Sequence, residues 1–128
     1  MIYRFFILTM VFVISNCNIQ NKKHRPIVIK GYYEIDSTII SKDSCILEGI
    51  VFDKRSNEKL NYGIVYLDSN KYLAMVDSIG GFRKQVKEGS HSIIISAVGY
   101  SKLKTDTINL KNGYKFFIKF YLGTTIIR

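Results

Sequence analysis

Between Ile46 and Leu122 the chain alternates between short apolar runs and clusters of Gly, Asn, Ser, Asp and Lys. In the last run, "YKFFIKFYL", Phe116, Ile118, Phe120 and Leu122 fall on one face, and Lys115, Phe117, Lys119 and Tyr121 on the other. A period of two marks a strand with one face buried. "ILEGIVFD", "YGIVYLD", "YLAMVD", "FRKQV", "HSIIISAV" and "TDTINL" are read as further strands, and Asn112-Gly113 as the turn of the final hairpin. In "FRKQV" the inward set is Phe82, Lys84 and Val86, which requires the Lys84 stem to sit at a sheet edge and snorkel. Six or seven short strands separated by turn clusters predict an all-β, antiparallel β-sandwich.

Upstream the pattern changes. "FFILTMVFVI", Phe5 to Ile14, is preceded by Arg4 and is too short to span a bilayer core of about 30 Å. A basic start followed by a short apolar run reads as an export signal over residues 1–16. Ser15-Asn16-Cys17 resembles the lipobox of bacterial lipoproteins, in which the cysteine becomes the diacylated first residue. Ser15 fits that pattern, whereas Ile14 and Asn16 depart from it, so a plain cleaved signal or an uncleaved anchor stays open. Residues 17–45 read as a tether with one or two extra strands within Ile27 to Ser44, and residues 123–128 as a tail. Cys45 is free to pair with Cys17 in an oxidising compartment, but not if Cys17 carries lipid.

Charge sharpens the picture. Residues 83–128 hold nine basic side chains against two acidic ones, whereas residues 17–82 are nearly balanced. Such asymmetry favours an acidic partner. Arg83, Lys84, Lys87, Lys115 and Lys119, interleaved with Phe117 and Tyr121, form the candidate binding face, unless the segment Ile27 to Ser44 covers the two aromatics. An acidic glycan or another envelope protein suits that face, and the export signal argues against nucleic acid.

Catalytic chemistry finds little purchase. His24 lies in the tether and His91 at a strand start, without the second histidine and glutamate of a zinc peptidase. There is no GxSxG turn to expose a serine nucleophile. "VDSIGGF" lacks the lysine and helix of a phosphate loop, and Asp77, Ser78 and Asp68 fall short of the six to eight oxygens calcium needs. It reads instead as a tight turn that Asp77 caps and Gly80 permits by taking positive φ, with Phe82 restarting the inward alternation. No enzyme, metal or cofactor is expected.

Four pieces in order resemble the carboxypeptidase regulatory-like domain family. "LEGIVFD" is similar to its first strand through Gly49, Val51 and Asp53, and in "SNEKLNYGIVYL" Leu60 stands at the leucine after its polar turn and Val65 and Leu67 in its second strand. "VDSIGGF" resembles its turn signature through Asp77, Gly80 and Phe82, with Val76 in place of the usual threonine. "ISAVGY" resembles its strand end through Ser96, Gly99 and Tyr100. The likeness spans residues 46–122 and implies a seven-stranded, transthyretin-like sandwich that accompanies catalytic or receptor domains without being catalytic itself. It also implies an exported protein of the Bacteroidetes type, here an outer-membrane or periplasmic lipoprotein held to the membrane through its N-terminal lipid.

Overall fold

The computed structural model describes residues 26–127, so the segment expected to be an export signal, Cys17 and His24 lie outside the described residues. All regular structure among them is strand: β1 Pro26–Val28, β2 Tyr32–Ile39, β3 Cys45–Asp53, β4 Ile64–Leu67, β5 Lys71–Met75, β6 Gly81–Val86, β7 Gly89–His91, β8 Ile93–Ser96, β9 Leu103–Lys104, β10 Ile108–Leu110, β11 Tyr114–Leu122 and β12 Thr125–Ile127. Two four-stranded sheets, β2-β11-β3-β6 and β5-β4-β8-β9, bury their inner faces in one core, as the alternation predicts for a sandwich. Two small ladders, β1-β12 and β10-β7, complete the fold.

The alternation in β11 places Phe116, Ile118, Phe120 and Leu122 inward, all buried. Beside them β3 contributes Cys45, Leu47 and Val51, and the second sheet supplies Val65, Ile93 and Ile95, each without solvent exposure. Burying a side chain of this size stabilises the fold by about 1.5–3 kcal/mol. β6 is an edge strand, and its inward register runs Phe82, Lys84, Val86. Phe82 and Val86 are buried while Lys84 is exposed, the arrangement that a lysine on the core side of an edge permits.

Three features depart from the sequence reading. Beyond the seven strands expected over residues 46–122 and those expected upstream, "HSIIISAV" divides into β7 and β8, and β9 and β12 are additional. Not all pairing is antiparallel: β3 and β11 run parallel. Parallel neighbours need a long crossover, here the stretch from Asp53 to Tyr114, which carries the whole second sheet together with β6 and the β10-β7 ladder. The third departure is β12, whereas β2 falls within the segment where the sequence predicts one or two extra strands. β2 pairs with β11 along its whole length, and β12, in the segment read as a tail, pairs with β1. β2 therefore widens the first sheet and does not lie across Phe117 and Tyr121.

Candidate functional site

The turn between β5 and β6 is held by its own aspartate. Asp77 Oδ1 accepts the N–H groups of Ile79 at 3.0 Å and Gly81 at 2.9 Å. The Asp77 N–H donates to the Gly81 carbonyl at 2.9 Å. Gly80 has φ +85°, and a Cβ there would meet Lys59 Cβ at 3.0 Å and the Leu60 carbonyl at 3.1 Å. One carboxylate oxygen is thus committed to the turn.

The other signature residues meet in pairs. Gly49 lies under the Phe82 ring across the β3-β6 pairing; a Cβ at Gly49 would run into that ring and reach 2.9 Å from the Ile118 carbonyl. The Tyr100 hydroxyl donates to Asp53 Oδ2 at 2.6 Å, and Asp53 Oδ1 accepts the Arg55 N–H at 2.8 Å. That hydrogen bond to the carboxylate pushes the Tyr100 phenol up to about 12 and holds the Asp53 carboxyl below its usual range. Gly99, at φ +90°, lets the turn bring Tyr100 back toward β3.

The candidate binding face divides. Arg83, Lys115, Phe117, Lys119 and Tyr121 share the outer face of the first sheet. Lys84 has the opposite register, and Lys87 lies beyond β6. The face is not basic. Glu48 sits between Arg83 at 3.0 Å and Lys115 at 3.4 Å, Glu34 is the cross-strand partner of Lys119, and Asp36 that of Phe117. Three cations thus face three carboxylates. The charge count along the chain missed this because β2 and β3 bring acidic residues beside β11 from far upstream. Outward parity within "LEGIVFD" was the available signal for Glu48. The Glu48 carboxyl is desolvated, yet its hydrogen bonds to Arg83 and Lys115 outweigh that burial and leave it below the usual range.

Aromatics on this face are half-buried by one another. Tyr121 stacks between Tyr32, at 4.5 Å between ring centroids, and Phe52 at 5.0 Å. Phe117 borders an open depression of about 230 Å³ that Glu48, Arg83, Asp77 and Ile79 also line. This depression joins the "VDSIGGF" turn to the aromatic face.

His91 has a partner the sequence did not suggest. Its Nδ1 lies 2.7 Å from Asp68 Oδ2 and its Nε2 3.1 Å from the Lys87 carbonyl. Both ring nitrogens are occupied, so neither is placed to take a proton from a substrate. The hydrogen bond from His91 holds the Asp68 carboxyl below its usual range, and Asp68 Oδ1 also accepts the Ser92 N–H. Cys45 lies wholly in the core, where burial pushes its thiol up. Any disulfide at Cys45 would require opening that core. No group of three metal-ligating side chains occurs among the described residues. No family model matches the chain, and no curated protein is similar to it.

Proposed function

We propose that this protein is a non-catalytic lipoprotein of the cell envelope, a membrane-tethered sandwich of the carboxypeptidase regulatory-like kind that serves as an interaction or assembly module. The observation that carries the reading is the pairwise meeting of the signature residues. Gly49 with Phe82, Asp53 with Tyr100 and Asp77 with its own turn are all engaged in holding the sandwich. Residues so engaged support a role as fold determinants, and the work of the protein then falls to its surface and its anchor. The His91–Asp68 pair, with both ring nitrogens occupied, supports the same view. Intact-mass measurement of the membrane-extracted protein tests the anchor. The expected species begins at a diacylated Cys17; a mature chain beginning at another, unmodified residue overturns it.

A second reading, a small glycan- or peptide-binding lipoprotein, is favoured by the depression beside Phe117. Its centre shifts from the lysines of β11 to Phe117 for ring stacking and Arg83 for an acidic group. Glycan-array binding that Phe117→Ala and Arg83→Glu each abolish, in protein that stays folded, is the expected result. Binding indifferent to both substitutions removes this reading.

A further inference from the structure

Strand directions sort the turns into two ends. β3 and β11 run parallel and finish together, β2 and β6 start beside their finish, and β4 starts where β5 and β8 end. The turns around residues 53–63, 77–80 and 97–101 therefore share one end, joined by the Val51 N–H to Gly80 carbonyl, Tyr100 to Asp53 and Tyr62 to Val98 carbonyl hydrogen bonds. The β1-β12 ladder attaches to the same end, through the Ile29 N–H to Thr124 carbonyl bond.

This end is apolar where turns are ordinarily polar. Val98 is 87% exposed and Ile79 70%, each within a turn and neither packed into the core. Of the eight exposed large apolar side chains among the described residues, Val28, Tyr32, Tyr62, Met75, Ile79 and Val98 are at or next to this end. The opposite turns present Asp68, Ser69 and Asn70, and Lys111 and Asn112. Around the apolar tips stand Lys30, Lys54, Arg55, Lys59 and Lys102. Against these five cations stand three carboxylates: Asp53, which is half-buried and bonded to Tyr100 and its own turn, and Asp77 and Glu58, which are exposed.

We propose that this end is a membrane-contact tip, whose turns seat Ile79 and Val98 in the interfacial layer of an anionic bilayer while the surrounding lysines meet its head groups. The inference rests on the tethered reading above and adds the orientation and partner of the sandwich. The occupant follows from where the chain leaves. The nine residues from Cys17 to Arg25 span at most about 30 Å when extended, so a lipid on Cys17 keeps Pro26, and the end it belongs to, within that distance of the bilayer. Those nine residues include three further cations, Lys22, Lys23 and Arg25. Apolar side chains ringed by lysines match an interface where acyl chains meet anionic head groups, and the Tyr62 and Tyr32 rings have the amphipathic character that such interfaces favour.

The chain has no tryptophan, so a single introduced indole reports its own surroundings. Full-length lipidated protein carrying Ile79→Trp, Val98→Trp or, at the opposite end, Asn112→Trp is reconstituted in phosphatidylglycerol vesicles with brominated acyl chains. Emission from the two tip reporters is expected to shift to the blue and fall about twofold or more, as for side chains about 5–10 Å into the interface, while the Asn112→Trp reporter stays unquenched. Quenching is also expected to weaken in phosphatidylcholine vesicles, and Lys59→Glu with Lys102→Glu to abolish the difference between the two lipids. Tip reporters left unquenched in protein that floats with the vesicles, or equal quenching at Asn112→Trp, overturn the proposal and leave the anchor standing. Protein that does not float, and whose intact mass shows no lipid, removes the anchor reading first.

Discussion

At the scale of single residues, two glycines and one tyrosine carry testable consequences. Gly80→Val places a β-branched side chain at φ +85° against Lys59 and Leu60, and a loss of about 1–3 kcal/mol is expected from strain at that position. Thermal or urea melting checks it, and an unchanged midpoint would remove the need for glycine in this turn. Gly49→Ala acts differently, because the backbone there is ordinary and the obstacle is the Phe82 ring. Overpacking of this kind costs about 1–3 kcal/mol. The cost should shrink in a Phe82→Leu background, and equal losses in both backgrounds would show that the ring is not the obstacle. The Tyr100–Asp53 pair gives a pH signature. The tyrosine is raised from its ordinary value near 10 to about 12, so its contribution is complete below about pH 10 and fades as pH climbs toward 12. The aspartate is depressed, so its contribution is complete above its unfolded value and fades as pH falls through the folded one. Tyr100→Phe should lower stability by about 1 kcal/mol near neutrality, a modest figure because the pair is only half-buried. The gap from wild type should close at both pH extremes in urea titrations. A gap that stays constant from neutral pH to 12 argues against the hydrogen bond as its source. Asp77 and Gly80 were legible as a turn because the chemistry is local. The Tyr100–Asp53 bond was not, since nothing within either motif points to a partner 47 positions away.

At the scale of elements, alternation revealed most of the strands because one face of each meets the core. β11 is its clearest instance, nine residues with a buried residue at every second position from Phe116 to Leu122. β2 was hard to read for the converse reason: none of its residues is fully buried, so the polar and apolar positions of Tyr32–Ile39 are only loosely sorted. β12 was hidden by its length of three residues and by a partner at the far end of the chain. The edge strand β6 shows how a strand's sequence also guards against unwanted pairing. Arg83, Lys84 and Gln85 follow one another along its exposed stretch, and charge on an edge discourages a second chain from adding to it. Replacing them together (Arg83→Val, Lys84→Ile, Gln85→Val) raises strand propensity while removing that guard. Size-exclusion chromatography with light scattering should show a shift toward larger species relative to the wild-type chain. If the triple variant elutes unchanged, the charges on β6 serve some purpose other than guarding the edge.

For the whole molecule the governing fact is that sheet order, not chain order, decides where charge ends up. The C-terminal part is strongly basic when counted along the chain, yet β11 lies between β2 and β3, which carry Glu34, Asp36 and Glu48 on the same outer face. No local pattern announces that adjacency, because a parallel pair such as β3-β11 is joined only through the entire second sheet. The same topology gathers apolar turn tips and lysines at the end that carries the β1-β12 ladder, though they are scattered along the sequence. Among the described residues the surface thus includes a charge-balanced sheet face and a tip rimmed by lysines. An acidic polysaccharide should consequently be held weakly by the sheet face as it stands. Glu48 bridges two cations, so Glu48→Gln releases Arg83 and Lys115 together, while exposed ion pairs contribute only about 0–1 kcal/mol each and the fold should survive. On a sulfated-polysaccharide column the variant is expected to elute at higher salt than wild type, and adding Glu34→Gln, which removes the carboxylate cross-strand from Lys119, should move it further in the same direction. Elution that does not respond to either change would mean that polyanions are held elsewhere, with the lysines of the tip the next surface to substitute.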